Sequence, residues 1–335
     1  MPQRFGVCPA ALLAAAFAAT VTAPSGWAQV SGTLVVTNKS PSTATIIDIA
    51  STRILATLPT GVGPHEVVVS RDGRWAVVTD YGGAPRRTLT VIDVPALRVA
   101  RTIDLGEYTA PHGIAFLPGD SLVAVTSEAT RNVAIVDVLA GAVLGAVATG
   151  QPGSHMVAVT ADGARAYTGD IGANTVSELD LGARRLLRRF EVPAEPEALN
   201  VTPDGAEVWV GSNATGVVSV VDLASGGVTP AAEGFGWPYR VLFSPDGRTV
   251  LLPDLRGHEL RFVDRASRRE LGRLAFPEGG PQGIAVTPDG RFAFQSLSRE
   301  GRVAIVDVAA RSVVGYLAAG ETPDGVAYTT RVIER

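Results

Sequence analysis

The sequence predicts an all-β chain of seven four-stranded units closed into one ring, a seven-bladed β-propeller, and three observations carry that reading. A turn signal, a strand-end aspartate and a strand-opening pair each recur along the 335 residues with a common step of about 43, the length of one blade. Composition agrees. The chain holds 37 glycines and 22 prolines, is 46% apolar and is only 19% charged, as many short strands joined by tight turns require. That balance excludes disorder, which needs low hydrophobicity and high charge.

The turn signal is Ser/Thr-x-Asp-Gly, read as SRDG (70–73), TADG (160–163), TPDG (202–205), SPDG (244–247) and TPDG (287–290), with a scrambled LPGD at 117–120. Its glycine takes the left-handed position that closes a hairpin. The aspartates stand at Asp48, Asp93, Asp137, Asp180, Asp222, Asp264 and Asp307, each ending an apolar run. A carboxylate there accepts backbone N–H groups in an Asx-type turn. The strand-opening mark falls at Pro64, Pro111, Ser154, Pro196, Pro238, Pro281 and Pro323.

Within one unit the strands read 241–245, 249–253, 259–264 and 270–275. The chain opens on strands two to four of a unit (33–36, 45–48, 53–58) and finishes on a lone first strand, 325–329. The last strand therefore completes the first blade, three-plus-one, and leaves no open seam between the termini.

Ahead of the ring, residues 1–28 read as a secretory signal peptide, with Arg4, an Ala/Leu/Val-rich run and small residues before Ala28 or, alternatively, Ala23. This leaves 29–335 as a single propeller domain, periplasmic or secreted, with no transmembrane segment after signal cleavage. The one cysteine, Cys8, lies inside the signal. The mature chain thus has no disulfide, zinc–thiolate site, cysteine nucleophile or CxxCH haem attachment. A net charge of −4 lacks the basic footprint of a nucleic-acid binder. The clusters Arg184/Arg185/Arg188/Arg189 and Arg265/Arg268/Arg269/Arg273 read as charged outer edges.

The segments Leu34-Val-Val-Thr-Asn38, Ala76-Val-Val-Thr-Asp80 and Val208-Trp-Val-Gly-Ser212, with the TPDG turns, resemble the YVTN-type repeats of bacterial and archaeal seven-bladed propellers. The resemblance spans 33–330. It implies the fold but not an activity, since relatives include surface-layer repeats, periplasmic proteins, a single-stranded-DNA binder and redox-enzyme domains.

Function is sought where the repeat is broken. The residue after each strand-opening mark is, in order, His65, His112, His155, Glu197, Tyr239, Gln282 and Asp324, and three of the chain's four histidines occupy this slot. The first strand of a propeller blade is innermost, so these side chains are expected to form a ring at one mouth of the central channel. Three neutral imidazoles converging on a point suit a divalent transition metal, Zn²⁺ or copper, with Glu197 as fourth ligand or as the catalytic base on a metal-bound water. Asp80, Tyr81, Glu128 and Asp170 lie on neighbouring loops and are expected to orient the imidazoles. The alternative for the ring is a wet channel mouth without metal.

The aromatic segment Gly234-Phe-Gly-Trp-Pro-Tyr239 leads into the same mouth. Trp237, Tyr239, Gln282, Asp324 and Tyr81 are the expected ligand contacts, and Phe235 and Trp237 read equally as packing between blades. His258 stands alone on that face. No GxSxG, P-loop, HExxH or EF-hand motif occurs. Two functions follow: a metal-dependent binder of a small organic ligand, with metal-assisted hydrolysis or elimination as the fitting reaction class, or a non-catalytic scaffold for another periplasmic protein, with an accessory role in a periplasmic oxidation system as a variant. The sequence leaves open whether the protein is an enzyme, and its oligomeric state.

Overall fold

The computed structural model describes residues 30–334; the expected signal segment and Cys8 lie outside them. Each repeat forms one four-stranded antiparallel sheet, and there are seven. Blade 1 joins Thr33–Asn38, Thr43–Asp48 and Arg53–Pro59 to the last strand, Pro323–Thr329. The expected closure is present, with Val35 paired to Ala327 and Val36 to Val326. Blades 2 to 7 open on the inner strands Pro64–Val69, Pro111–Phe116, Ser154–Val159, Pro196–Val201, Leu242–Phe243 and Pro281–Val286.

The repeated signals do what their chemistry requires. In the Ser/Thr-x-Asp-Gly turns, Gly73, Gly163, Gly205, Gly247 and Gly290 have φ between 69° and 71°, a region that side chains with a Cβ rarely enter. The turn hydroxyl donates to its aspartate, as from Ser70 and Thr202 at 2.6 Å. All seven strand-end aspartates accept backbone N–H bonds from the following turn, for example Asp137 from Ala140 and Asp307 from Ala310 at 2.8 Å.

The middle strands of each blade are buried on both faces, and β-branched residues fill them. In blade 2 these are Trp75–Asp80 and Thr88–Asp93, whereas the outer strand Arg98–Asp104 turns alternate stretches towards solvent. The core lies between blades. Val77, Leu89 and Ile103 of blade 2 pack on Ile114, Val123 and Ala134 of blade 3. Trp209 is fully buried and meets the edge of Phe243 from the next blade at 6.0 Å.

One irregularity positions the channel groups. In six of the inner strands the ladder skips after the strand-opening residue, between Pro64/Val67, Pro111/Ile114, Ser154/Val157, Pro196/Ala198, Pro281/Ile284 and Pro323/Val326. Such bulges free residues from pairing and re-aim them. The residue in the slot is therefore turned to the channel mouth. Blade 6 carries the skip further: the strand expected over 241–245 is reduced to Leu242–Phe243, with a lone bridge between Pro238 and Asp254.

Candidate functional site

The ring expected from the slot residues exists, and its members are bonded to one another. Tyr81, from the loop of blade 2, donates to Glu128 Oε2 at 2.6 Å. Glu128 Oε1 meets His155 Nδ1 in a short contact, and His155 Nε2 lies 3.6 Å from Glu197 Oε1. Glu197 Oε2 accepts from Trp237 Nε1 at 3.0 Å and from Asn213 Nδ2. Across the mouth, Asp324 pairs with Lys39 Nζ at 2.9 Å and accepts from Tyr239 at 3.1 Å. His155, Glu197, Tyr239 and Asp324 are buried, while Tyr81, Glu128, Asn213, Trp237 and Lys39 are half-buried and give the ring its contact with solvent.

The electrostatics follow from these contacts. Burial alone disfavours the His155 imidazolium, but the bonds to Glu128 and Glu197 outweigh it and push its pKa up to about 9. Both carboxylates are in turn held below the usual range, burial being overridden by His155. His112 is driven well below the ordinary histidine value, first by burial and then by the charge on His155. Burial also lowers His65. At neutral pH the ring thus holds one imidazolium between two carboxylates and two neutral imidazoles.

The three histidines meet, but not around one point. His65 and His112 have centroids 5.1 Å apart, close to the roughly 5 Å expected of two imidazoles each about 2.0–2.1 Å from one tetrahedral ion. His112 and His155 stack at 3.5 Å, with planes 27° apart, which is too close for that arrangement. Among the described residues no group of three His, Cys, Asp or Glu side chains is disposed to hold a metal ion. His65 Nδ1 is tied to the Gly63 carbonyl at 3.0 Å. His112 Nδ1 is buried without a partner, as are Gln282 Oε1 and Asn213 Oδ1.

Several supporting roles differ from expectation. Asp80 and Asp170 do not orient imidazoles. Asp80 accepts from Thr88, Thr90 and the Gly61 N–H, and Asp170 from Ser154, Thr168, Thr175 and Ser177. Burial pushes Asp80 up to about 6 against those bonds. Tyr81 and Glu128, expected in the same role, do contact the histidines: Glu128 bonds His155, and Tyr81 packs edge-on against His65 and His112. Phe235 belongs to the core between blades 5 and 6, whereas Trp237 reaches the mouth. His258 faces Arg299 at 3.3 Å, away from the ring partners. Four of the eight clustered arginines are paired with carboxylates: Arg188 with Glu178, Arg265 and Arg268 with Glu207, and Arg273 with Glu259 and Glu270.

Sequence reasoning missed the groups one position deeper. The residue following the slot is Glu66, Gly113, Met156, Ala198, Arg240, Gly283 or Gly325, and the two charged members find each other. Arg240 of blade 6 crosses the channel to Glu66 of blade 2, three blades away. It also donates to the Tyr239 carbonyl and lies 4.2 Å beneath the Tyr239 ring. The signal was available: opposite charges at two of seven otherwise small or apolar positions. Below this strut lies a cavity of about 480 Å³.

These features define a seven-bladed propeller whose channel is plugged at one mouth by a polar ring. A model of YNCE-like β-propellers matches residues 28–121, in agreement with the YVTN-type repeats. Comparison with curated proteins gives no match. A chain in the structure of Kuenenia stuttgartiensis hydrazine synthase superposes with a TM-score of 0.72 at 19% identity, covering 83% of this chain and 93% of its own. A functionally unknown protein from Desulfotomaculum acetoxidans does so with 0.74 at 16%, covering 89% and 99%. At such identities the likeness is one of fold. No helix among the described residues is long and apolar enough to cross a membrane.

Proposed function

We propose that the protein is an exported, non-catalytic binding propeller that recognises a small hydroxyl-rich organic molecule at the channel mouth. One observation carries this reading: the charged groups of the ring are engaged with one another, while His112 Nδ1, Gln282 Oε1 and Asn213 Oδ1 are buried without a hydrogen-bond partner. Buried polar atoms without partners are rare and ask for a ligand or ordered water. Two amide oxygens call for donors, which hydroxyl groups supply. The partly open Trp237, bonded to the same Glu197 oxygen as Asn213, offers a flat wall.

Glu197 is poorly suited to the base role. Its oxygens are engaged by Trp237, Asn213 and His155, and its pKa is depressed, whereas a general base works best near the operating pH. Titration with a panel of monosaccharides and sugar alcohols by calorimetry tests the proposal. Saturable binding that Gln282→Leu weakens tenfold or more supports it. Absence of binding across the panel overturns it.

A second reading is supported by the His65–His112 separation of 5.1 Å, which suits two ligands of one Zn²⁺ or copper ion. His155 would have to leave its stack on His112 and lose its proton to join them, with Glu197 as the carboxylate. Elemental analysis after Zn²⁺ or Cu²⁺ loading, with His65/His112/His155→Ala as control, decides this reading: stoichiometric metal in the parent alone supports it, and none refutes it.

A further inference from the structure

The Glu66–Arg240 strut separates the mouth from a second compartment with a different chemistry. The cavity beneath it, about 480 Å³, is walled mainly by inner-strand side chains, among them Val67, Ile114, Phe116, Met156, Val241 and Ile284. That volume lies within the range of small-molecule sites. At the closed end Glu66 Oε1 accepts from Arg240 Nη2. Its Oε2 receives no hydrogen bond from any described residue, although Glu66 is buried and borders the cavity. The nearby Asn200 is already satisfied, donating to the Val241 carbonyl and accepting from the Val201 N–H.

Arg240 borders the same cavity, so its closed end presents an ion pair whose carboxylate keeps one oxygen free. Burial holds the Glu66 carboxyl above its ordinary range against the pull of Arg240, and a second cation at the free oxygen would relieve that penalty.

We propose that this tunnel is a binding site for a protonated primary amine with an apolar body. The ammonium donates to Glu66 Oε2 at the closed end, and the alkyl or aryl body lies along the Val, Ile, Phe and Met walls. The site opens away from the polar ring and does not depend on the mouth reading.

The test is calorimetric titration of the purified protein at neutral pH with n-hexylammonium, 1-hexanol and hexanoate. The expected order is hexylammonium at least tenfold tighter than hexanol, with hexanoate weakest. Glu66→Gln alone strands Arg240 and endangers folding, so the charge is removed in the pair Glu66→Gln/Arg240→Met. That pair is expected to abolish the preference for ammonium over alcohol. Val286→Trp, which narrows a half-buried stretch of the wall, is expected to weaken both by tenfold or more, while Gln282→Leu at the mouth leaves amine binding unchanged. Equal binding of hexylammonium and hexanoate, no binding of any of the three, or indifference to Val286→Trp overturns the proposal.

Discussion

Raising the pH should release His155 from its two carboxylates, and the size of the effect can be worked from the contacts. The imidazole moves from an ordinary value of 6.5 to about 9 in the folded chain. At roughly 1.4 kcal/mol for each tenfold change, that places about 3 kcal/mol of folding stability in the protonated form. The folded value lies above the unfolded one, so the contribution is complete below about pH 6.5 and is lost as the pH rises through about 9. Two assays read it. In an NMR titration, His155 should still be protonated at about pH 8, whereas His65 and His112 should lose their protons below the ordinary histidine value. In denaturation, the stability gap between the parent and His155→Gln should shrink by roughly 3 kcal/mol between about pH 6 and pH 10. A His155 that titrates near 6.5, or a gap that does not change with pH, refutes the reasoning.

Other expectations follow from the same geometry. Arg240→Met should cost about 3–5 kcal/mol by stranding the buried Glu66 carboxylate, whereas Glu66→Gln/Arg240→Met should be close to neutral; thermal unfolding of the single and double variants compares them. Gly283→Ala should lose roughly 1–3 kcal/mol, because its Cβ would stand 2.2 Å from the Asp324 carbonyl oxygen of the next blade, and a parental melting temperature would contradict this. Ending the chain before Pro323–Thr329 removes the strand that closes blade 1 and leaves its neighbour Thr33–Asn38 as an open edge. Cooperative unfolding should be lost, and a truncated chain that melts like the parent would count against the closure.

How much of this was legible in the sequence depends on the range of the interaction involved. The hairpin glycines and the strand-end aspartates act within a few residues, so Gly73 or Asp137 could be read without knowing the rest of the ring. Closure was legible because the repeat is out of phase with the termini. The slot that carries His65 to Asp324 was legible as well, since a bulge repeated in most blades gives those positions one direction. What each slot residue does with its neighbours was not. His155 meets Glu128 and Glu197 from the two flanking blades, and the stacking of His112 on His155 depends on rotamers that no spacing encodes. Asp80 and Asp170 were misread because nearby Thr and Ser hydroxyls, at positions that look like ordinary strand residues, claim their oxygens first. The Glu66–Arg240 strut is the clearest omission: it joins residues 174 apart, visible only as a pair of opposite charges in otherwise small or apolar positions.

The central claim is that the polar ring at the channel mouth is a recognition site. Its most direct test is an NMR titration that follows the side-chain amides of Gln282 and Asn213 and the His112 ring while the monosaccharide and sugar-alcohol panel is added. The account predicts saturable shifts confined to these three groups and Trp237 for at least one member of the panel. Shifts that fail to saturate, or that fall elsewhere on the ring of blades and leave these groups unmoved, would contradict it.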